Sequence, residues 1–507
     1  MPLDPETCYR AFESRDARFD GRFFTAVRTT GIYCRPICPA PTPRRSNVEF
    51  VPSAAAAEAR GYRACLRCRP DAAPGSPEWQ GSSAQVARAL RRIHDGALDA
   101  GGVPALAASV GASARHLTRL FHEELGATPL EVARTQRAHA ARRLVEDTSL
   151  PMTEVAFAAG YGSLRSFNDE VRKRFGFTPS ELRGKRRGRD VTSGAPLALR
   201  LAYRGTLDWA ATLRYLAARA ISGVEQVHGD GYRRSVRLGE AQGWIEVTAE
   251  PGDGRLLLTA RIDGLRALPS LVERVRGLFD LRADPARIAE DLGADPALNS
   301  MVVRFGAPRL LAGWDGFEVA VRAVLGQQVS VAAARTQLGR LVALCGDELE
   351  HGDALEGTPL LFPTAQQVAA ADLDAMPLPR SRRATLRGLA EAVAGGDVDL
   401  SPGVDPVSTR AALLALPGIG PWTADYISLR GLRDPDAFPA GDLGLRKALA
   451  GSGEPLTARD LEQRSEAWRP WRAYAAMLLW RSLSETSHDD ELPGTRHADR
   501  PPLAARR

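Results

Sequence analysis

Between residues 106 and 182 one pattern of apolar and polar positions occurs twice. "LAASVGASARHLTRLFHEELGATPLEV" begins at Leu106 and "VAFAAGYGSLRSFNDEVRKRFGFTPSEL" begins at Val155. In each copy small apolar residues lead to a glycine, Gly111 or Gly160, and a serine, Ser113 or Ser163, then opens a second segment. A serine just before a periodic apolar run is a helix N-cap signal, because its hydroxyl can satisfy the open N–H groups of the first turn. Leu117, Leu120 and Phe121, like Phe167 and Val171, recur at helical spacing and turn one face to a core. The opposite faces carry Arg115, His116 and Arg119, then Arg165, Ser166 and Asn168, side chains suited to the major groove. The pattern predicts two helix-turn-helix units in tandem, each closed by G-x-T-P; a generic helical bundle is the alternative.

The pattern changes from about Pro196. "YRRSVRLGEAQGWIEVTAE" and "RLLLTARIDG" alternate β-branched or apolar residues with polar ones, punctuated by glycine, and read as strands of an α+β subdomain reaching about residue 300. Beyond it the chain is helical again, and "FEVAVRAVLGQQVSVAAARTQLGRL" at 317–341 reads as strongly helix-forming. "AAPGSPEWQGSS" at 72–83 is a linker by composition, and "GKRRGRD" at 184–190 a solvated basic one. A chain of 507 residues therefore divides into several cores. No apolar run reaches the length of a membrane span, and the first ten residues lack the form of a secretory signal, so a cytoplasmic protein without a membrane partner is expected.

Charge and cysteines narrow the chemistry. Residues 1–190 carry 30 Lys+Arg against 21 Asp+Glu, a net of +9. The remainder sums to −3, so the basic first part points to a polyanion. Four of the six cysteines, Cys34, Cys38, Cys65 and Cys68, form C-x3-C and C-x2-C pairs separated by 26 residues. Two such pairs are the usual way to build a tetrahedral thiolate site for Zn²⁺, and a reducing cytoplasm removes disulfides as the competitor. Cys8 and Cys345 have no partner at metal spacing and read as packing residues. Four thiolates on zinc carry −2; alkylation of one sulfur makes it a thioether and leaves −1, which lessens repulsion of a DNA backbone. Arg35, Arg44, Arg45, Arg67 and Arg69 surround the cysteines and are candidate phosphate contacts. A purely structural zinc ribbon stays open on spacing alone.

The stretch "FFTAVRTTGIYCRPICPA…NVEF…GYRACLRCRPD" closely resembles the N-terminal domain of the bacterial adaptive-response Ada proteins, over about residues 4–75. The resemblance implies that Cys34, the first cysteine of "CRPxC", takes a methyl group from a methylphosphotriester in DNA, irreversibly and once. The tandem helical units, over roughly 84–183, are similar to the DNA-binding domain of AraC-type regulators. That likeness implies promoter binding and transcriptional activation, with RNA polymerase as a further partner.

In the last part, "LPGIGPWTADYI" places Gly418 and Gly420 around Ile419 in a tight turn before a helix, where backbone N–H groups can hold a phosphate. "FPAGD" follows and places Asp442 22 residues after Gly420. Together these resemble the helix-hairpin-helix DNA glycosylases. "RAISGVEQV", "AVLGQQVSVAAA" and "WRPWRAYAAMLLW" are similar in order and spacing to AlkA-type 3-methyladenine glycosylases, over about 197–485. The likeness implies that Asp442 stabilises an oxocarbenium-like sugar and positions water, and that Trp422, Tyr426 and Trp480 line the pocket for a flipped alkylpurine. Each of these rings could equally be core packing. Bifunctional relatives carry a hairpin lysine where Trp422 stands, so a monofunctional glycosylase is implied. Two departures stand out: Gln328 occupies the position where the duplex wedge is usually leucine, and the "PCHRV" motif of full-length Ada is absent, which puts O6-methylguanine repair out of reach.

The expected architecture is multidomain. It comprises a small α+β zinc domain at 1–75, an all-α tandem helix-turn-helix domain at 84–183, an α+β subdomain at 195–300 and an all-α helix-hairpin-helix glycosylase domain at 301–487. The expected function is repair of and response to DNA alkylation; the rival is a transcription factor whose C-terminal half binds DNA without catalysis.

Overall fold

The computed structural model describes residues 4–489 except 17–18, 69, 71–83, 95, 149, 185–195, 251–253, 351–354, 356, 358 and 451–452. Arg69, the linker read at 72–83 and residues 185–190 of the basic linker therefore lie outside the described residues.

The first unit is a four-stranded sheet of β1 (Phe24–Val27), β2 (Ile32–Cys34), β3 (Val48–Val51) and β4 (Arg63–Ala64), in the order β3-β1-β2-β4. Strands β2 and β4 run parallel, with Tyr33 opposite Ala64, so the chain leaves both strands on the same side, Cys34 at one exit and Cys65 at the other. Helix Ala54–Ala59 starts on Ser53, whose hydroxyl accepts from Ala56 N, and buries Ala55, Ala56 and Ala57.

Two helix pairs follow, Ala97–Ser109 with Ala114–Leu125 and Met152–Ala158 with Leu164–Phe175, bridged by helix Pro129–Asp147. Ser113 accepts from His116 N and Ser163 from Ser166 N, so both serines cap the second helix of their pair. Gly126 and Gly176 end these helices at φ +67° and +76°, in the left-handed region where glycine avoids the Cβ penalty. Leu117 and Phe121, and Phe167 and Val171, are buried.

Next comes an antiparallel five-stranded sheet: β5 (Leu197–Ala202), β6 (Glu225–His228), β7 (Gly231–Leu238), β8 (Ala241–Glu250) and β9 (Arg255–Ile262), in the order β5-β9-β8-β7-β6. The first strand segment read from the sequence is thus a hairpin, β7 and β8, and two further strands, β5 and β6, complete the sheet. From Leu268 the described chain is mainly helical.

The run at 317–341 is two helices rather than one: Gly316–Leu325 and Val331–Cys345. The break has a local cause. Ser330 caps the second helix by accepting from Ala333 N, and Gln328 between them sits at φ +55°. The first of these helices is fastened to the sheet by buried charges. Arg234 on β7 donates to Glu318 at 2.8 Å, and Arg322 donates to Glu318 at 2.7 Å and to Glu225 on β6 at 2.6 Å. Among the described residues no helix is long and apolar enough to cross a membrane.

Candidate functional site

The sulfur atoms of Cys34, Cys38, Cys65 and Cys68 lie within 4.8 Å of one another, and Cys38 Sγ and Cys65 Sγ are 4.0 Å apart. A zinc ion with bonds of about 2.3 Å to four thiolates sets sulfurs about 3.8 Å apart, so the cluster fits a tetrahedral centre. All four cysteines are buried. Hydrogen bonds to Cys38, then to Cys65 and Cys68, push the Cys34 thiol well above its ordinary range, and burial adds to this. Four packed sulfurs therefore cannot all be thiolate unless a cation shares their charge. The Arg35 backbone N–H donates to Cys68 Sγ at 3.3 Å and supports one ligand from behind.

The arginines of this unit divide into two kinds. Arg35 is largely buried: its Nε donates to Asp20 at 2.8 Å, its Nη2 also contacts Asp20, and its Nη1 donates to the Cys68 carbonyl at 3.0 Å. These contacts hold the cysteine loop. Arg44 and Arg67 are exposed. Arg45 lies over the Phe50 ring at 5.3 Å and 3.8 Å from Glu6, with its side chain 42% exposed.

A buried polar cluster joins this unit to the helices that follow. Tyr33, next to Cys34, donates its hydroxyl to Glu58 at 2.8 Å. Thr135 donates to the other Glu58 oxygen at 2.6 Å, His139 Nε2 lies 3.1 Å from Glu58, and Arg174 contacts Glu58 as well. The strand bearing Cys34 is thereby tied to helix Leu164–Phe175 through three side chains that the sequence keeps far apart. On the free face of that helix Arg165, Ser166 and Asn168 are exposed, Arg165 at 93%. In the first pair Arg115 is exposed, His116 is half-buried, and Arg119 pairs with Glu123 at 3.2 Å.

In the C-terminal part, helices Pro406–Leu414 and Pro421–Arg430 form a hairpin across a loop holding Gly418 and Gly420. Gly418 sits at φ +86° with its α-carbon so close to Thr385 that a Cβ would lie 1.9 Å from Oγ1; only glycine fits. Gly420 is the N-cap of the second helix and supplies no side-chain cap, which leaves the N–H groups of that turn to an outside acceptor.

Asp442 stands just before helix Leu443–Ala450. Its Oδ2 accepts the Trp422 indole N–H at 2.9 Å; its Oδ1 accepts the Trp480 indole N–H at 3.0 Å and the Leu445 backbone N–H at 3.0 Å. Three donors from three helices fix the carboxylate at the edge of a cleft of about 660 Å³ lined by Gln327, Gln328, Arg382, Gly418 and Trp422. Trp422 stacks on Tyr426 at 5.4 Å and 21°. Tyr426 and Trp480 lie outside the cleft lining and back Trp422 and Asp442. Gln328 is exposed at the rim. Its neighbour Gln327 holds the loop to the hairpin by donating to the Gly418 carbonyl at 3.0 Å, and Arg382 donates to the Gln327 carbonyl at 2.7 Å.

Sequence reasoning missed a second layer of the site. Arg430 lies over Tyr215 at 5.2 Å and over Trp480 at 5.7 Å, and Arg219 lies over Tyr215 at 3.9 Å. Tyr215 and Arg430 are 215 residues apart in sequence; only the "RAISGVEQV" stretch, which starts at Arg219, hinted that helix Trp209–Arg219 belongs to the site.

Residues 7–71 match the family described as the metal binding domain of Ada, residues 106–185 a helix-turn-helix domain and residues 198–315 the AlkA N-terminal domain. The C-terminal half is similar in fold to the 3-methyladenine DNA-glycosylase from Archaeoglobus fulgidus, with a TM-score of 0.50 and 20% identity over 57% of this chain and 99% of that one. The chain is 35% identical to DNA-3-methyladenine glycosylase 2 of Escherichia coli over 54% of its length and 93% of that protein. It is 47% identical to the probable bifunctional transcriptional activator/DNA repair enzyme AlkA of Mycobacterium tuberculosis, over 95% of this chain and 97% of that protein. With that identity sustained from the cysteine cluster to the aspartate cleft, the chain belongs to the family of bifunctional transcriptional activator/DNA repair enzymes that join an Ada-type half to an AlkA-type glycosylase half.

Proposed function

We propose that this protein removes alkylated purines such as 3-methyladenine from DNA with its C-terminal half. Its N-terminal half takes a methyl group from a methylphosphotriester and binds promoter DNA. The division follows 1–75 for the zinc domain, 84–183 for the tandem helix-turn-helix, 195–300 for the α+β subdomain and 301–487 for the glycosylase domain.

The observation that carries the glycosylase reading is the Asp442 carboxylate, held by two indole N–H groups and one backbone N–H beside an open cleft. A binding platform has no use for an oriented carboxylate next to DNA phosphates, which repel it; this weighs against the rival without catalysis. In the reaction the N-glycosidic bond breaks and its electron pair returns to the cationic purine, which leaves neutral. Asp442 stabilises the developing positive sugar and takes a proton as water adds to C1′. The extruded base meets the ring of Trp422, backed by Tyr426, where a cationic ring stacks well. The described cleft lining contains no lysine, in keeping with a monofunctional enzyme that leaves the sugar uncleaved. Gln328 is read as the wedge that fills the vacated stack, and the turn at Gly418 and Gly420 as a phosphate cradle.

In the N-terminal half, zinc bound by Cys34, Cys38, Cys65 and Cys68 supplies the charge that keeps these sulfurs ionised. Cys34 Sγ attacks the methyl carbon of the phosphotriester; the S–C bond forms as the C–O bond breaks, and the electron pair stays on the phosphate oxygen. Arg45 and Arg67 are read as phosphate contacts, and Arg115, Arg119 and Arg165 as contacts of the two recognition helices. RNA polymerase is the partner that activation requires.

One incubation tests both activities. Protein mixed with dimethyl-sulfate-treated duplex should release free 3-methyladenine without strand nicking and without borohydride trapping, and its own mass should rise by one methyl replacing hydrogen. That gain should vanish in Cys34→Ala.

A further inference from the structure

Arg430 is the last residue of the second hairpin helix and is buried, 7% exposed. Trp422, Tyr426 and Arg430 stand four residues apart on that helix and so lie along one side of it. That side reaches Asp442 by two routes. Trp422 donates its indole N–H to Oδ2 directly. Arg430 lies over the ring of Trp480, whose own indole N–H donates to Oδ1.

The guanidinium is fixed in place. Its Nη1 donates to the Leu311 carbonyl, and the Arg430 carbonyl accepts from Gly313 N–H at 3.0 Å. Its remaining neighbours are rings, Tyr215 at 5.2 Å and Trp480 at 5.7 Å. Among the described residues Arg430 forms no ion pair, and its Nε has no hydrogen-bond partner. A buried charge without a counter-ion is costly, and a neutral side chain would fill the position at lower cost. The charge is felt by its surroundings: burial alone would raise the pKa of Tyr215, but Arg430, then Arg219 and Arg322, outweigh burial and lower it.

A cation over an indole meets the electron-rich face of the ring. It draws electron density from the ring and makes the N–H a stronger donor, as one hydrogen-bonded group polarises the next in a chain. The N–H lies in the plane of the ring and the guanidinium over its face, so Arg430 acts on the carboxylate without touching it.

We propose that Arg430 is a positioning residue for base release. By polarising the Trp480 indole it strengthens the hydrogen bond to Oδ1 and keeps the Asp442 carboxylate in one orientation as positive charge grows on the sugar. This rests on the reading of Asp442 as the carboxylate that stabilises that charge.

The test is a double-mutant cycle on the full-length zinc-loaded protein, read as single-turnover release of 3-methyladenine from dimethyl-sulfate-treated duplex. Arg430→Gln keeps a donor for the Leu311 carbonyl and removes the charge; Trp480→Phe keeps the ring and removes its N–H. Arg430→Gln should slow release about tenfold and leave duplex affinity within about twofold of wild type. In the Trp480→Phe background the same substitution should slow release by no more than about twofold, because the group through which Arg430 acts is already gone. The indole proton resonance of Trp480, identified by its loss in Trp480→Phe, should move upfield in Arg430→Gln as its hydrogen bond weakens. If Arg430→Gln does not fold, Arg430→Met decides by the same criteria, and if release by Trp480→Phe is too slow to resolve, the resonance decides. Release within about threefold of wild type overturns the proposal, as does equal slowing in both backgrounds or an unmoved resonance. A wild type that releases no base overturns the glycosylase reading and this inference with it; an active wild type with a rate-neutral Arg430→Gln overturns this inference alone.

Discussion

Trp422 donates its indole N–H to Oδ2 of Asp442 at 2.9 Å, while its ring stacks on Tyr426. One side chain thus orients the carboxylate and supplies an aromatic face to the cleft. Trp422→Phe separates the two roles: the ring stays and the donor goes. A hydrogen bond to a charged group contributes about 1.5–3 kcal/mol, so base release should slow by about 10- to 100-fold. Trp422→Ala should lose more, because the stacking face goes as well. Single-turnover release of 3-methyladenine checks both; equal rates for the two variants would mean that the ring contributes nothing.

Gln328 combines exposure with φ +55°, a conformation that glycine adopts without cost. Gln328→Gly should leave stability unchanged or raise it by up to about 1 kcal/mol. Excision from duplex should fall about tenfold, since unstacking a base costs a few kcal/mol that the side chain offsets by filling the gap. Excision from single-stranded substrate should hardly change. The ratio of the two rates is the informative measurement.

Glu318 ties helix Gly316–Leu325, which precedes Gln328, to the five-stranded sheet. Burial alone would raise its pKa, but Arg234 and Arg322 outweigh burial and hold it at about 2, below its ordinary 4.5. A depressed carboxyl contributes stability that is complete above pH 4.5 and is lost as pH falls through about 2. Glu318→Gln should therefore destabilise the C-terminal half by about 3 kcal/mol at pH 7, with the deficit shrinking below pH 4.5. Urea unfolding of wild type and variant at pH 7 and at pH 3.5 measures the gap; a gap of equal size at both values would contradict the assignment.

Arg35 and Arg67 should respond differently to neutralisation. Arg35 is engaged by Asp20 and the Cys68 carbonyl, so Arg35→Gln should lower zinc retention under a chelator and the unfolding temperature of the N-terminal half. Arg67 is exposed, and Arg67→Gln should lower the salt dependence of DNA binding by about one unit of log–log slope. Binding isotherms across a salt series distinguish the two effects.

Local signals were legible in the sequence, and long-range ones were not. Ser113 and Ser163 cap their helices because capping involves only residues within one turn, and the cysteine pairs converge because each starts at the end of one of two parallel strands. The break at 326–330 was equally local, with Gly326 and Ser330 as its punctuation, but the strong helical pattern on both sides concealed it. The contacts of Glu58 with Tyr33, Thr135 and His139, and of Arg430 with Tyr215, depend on how separate elements pack, and no spacing rule reports that. Arg35 shows the same limit. Its place beside the cysteines suggested phosphate, and only packing revealed that Asp20 had claimed its guanidinium.

The most direct test of the account is the release of 3-methyladenine from methylated duplex by wild type and Asp442→Asn, measured alongside duplex affinity. Asparagine keeps the size of the side chain but removes the charge that stabilises the sugar cation. Release should fall by at least about a hundredfold with affinity for the duplex retained. Release at the wild-type rate by Asp442→Asn would contradict the assignment of catalysis to this carboxylate.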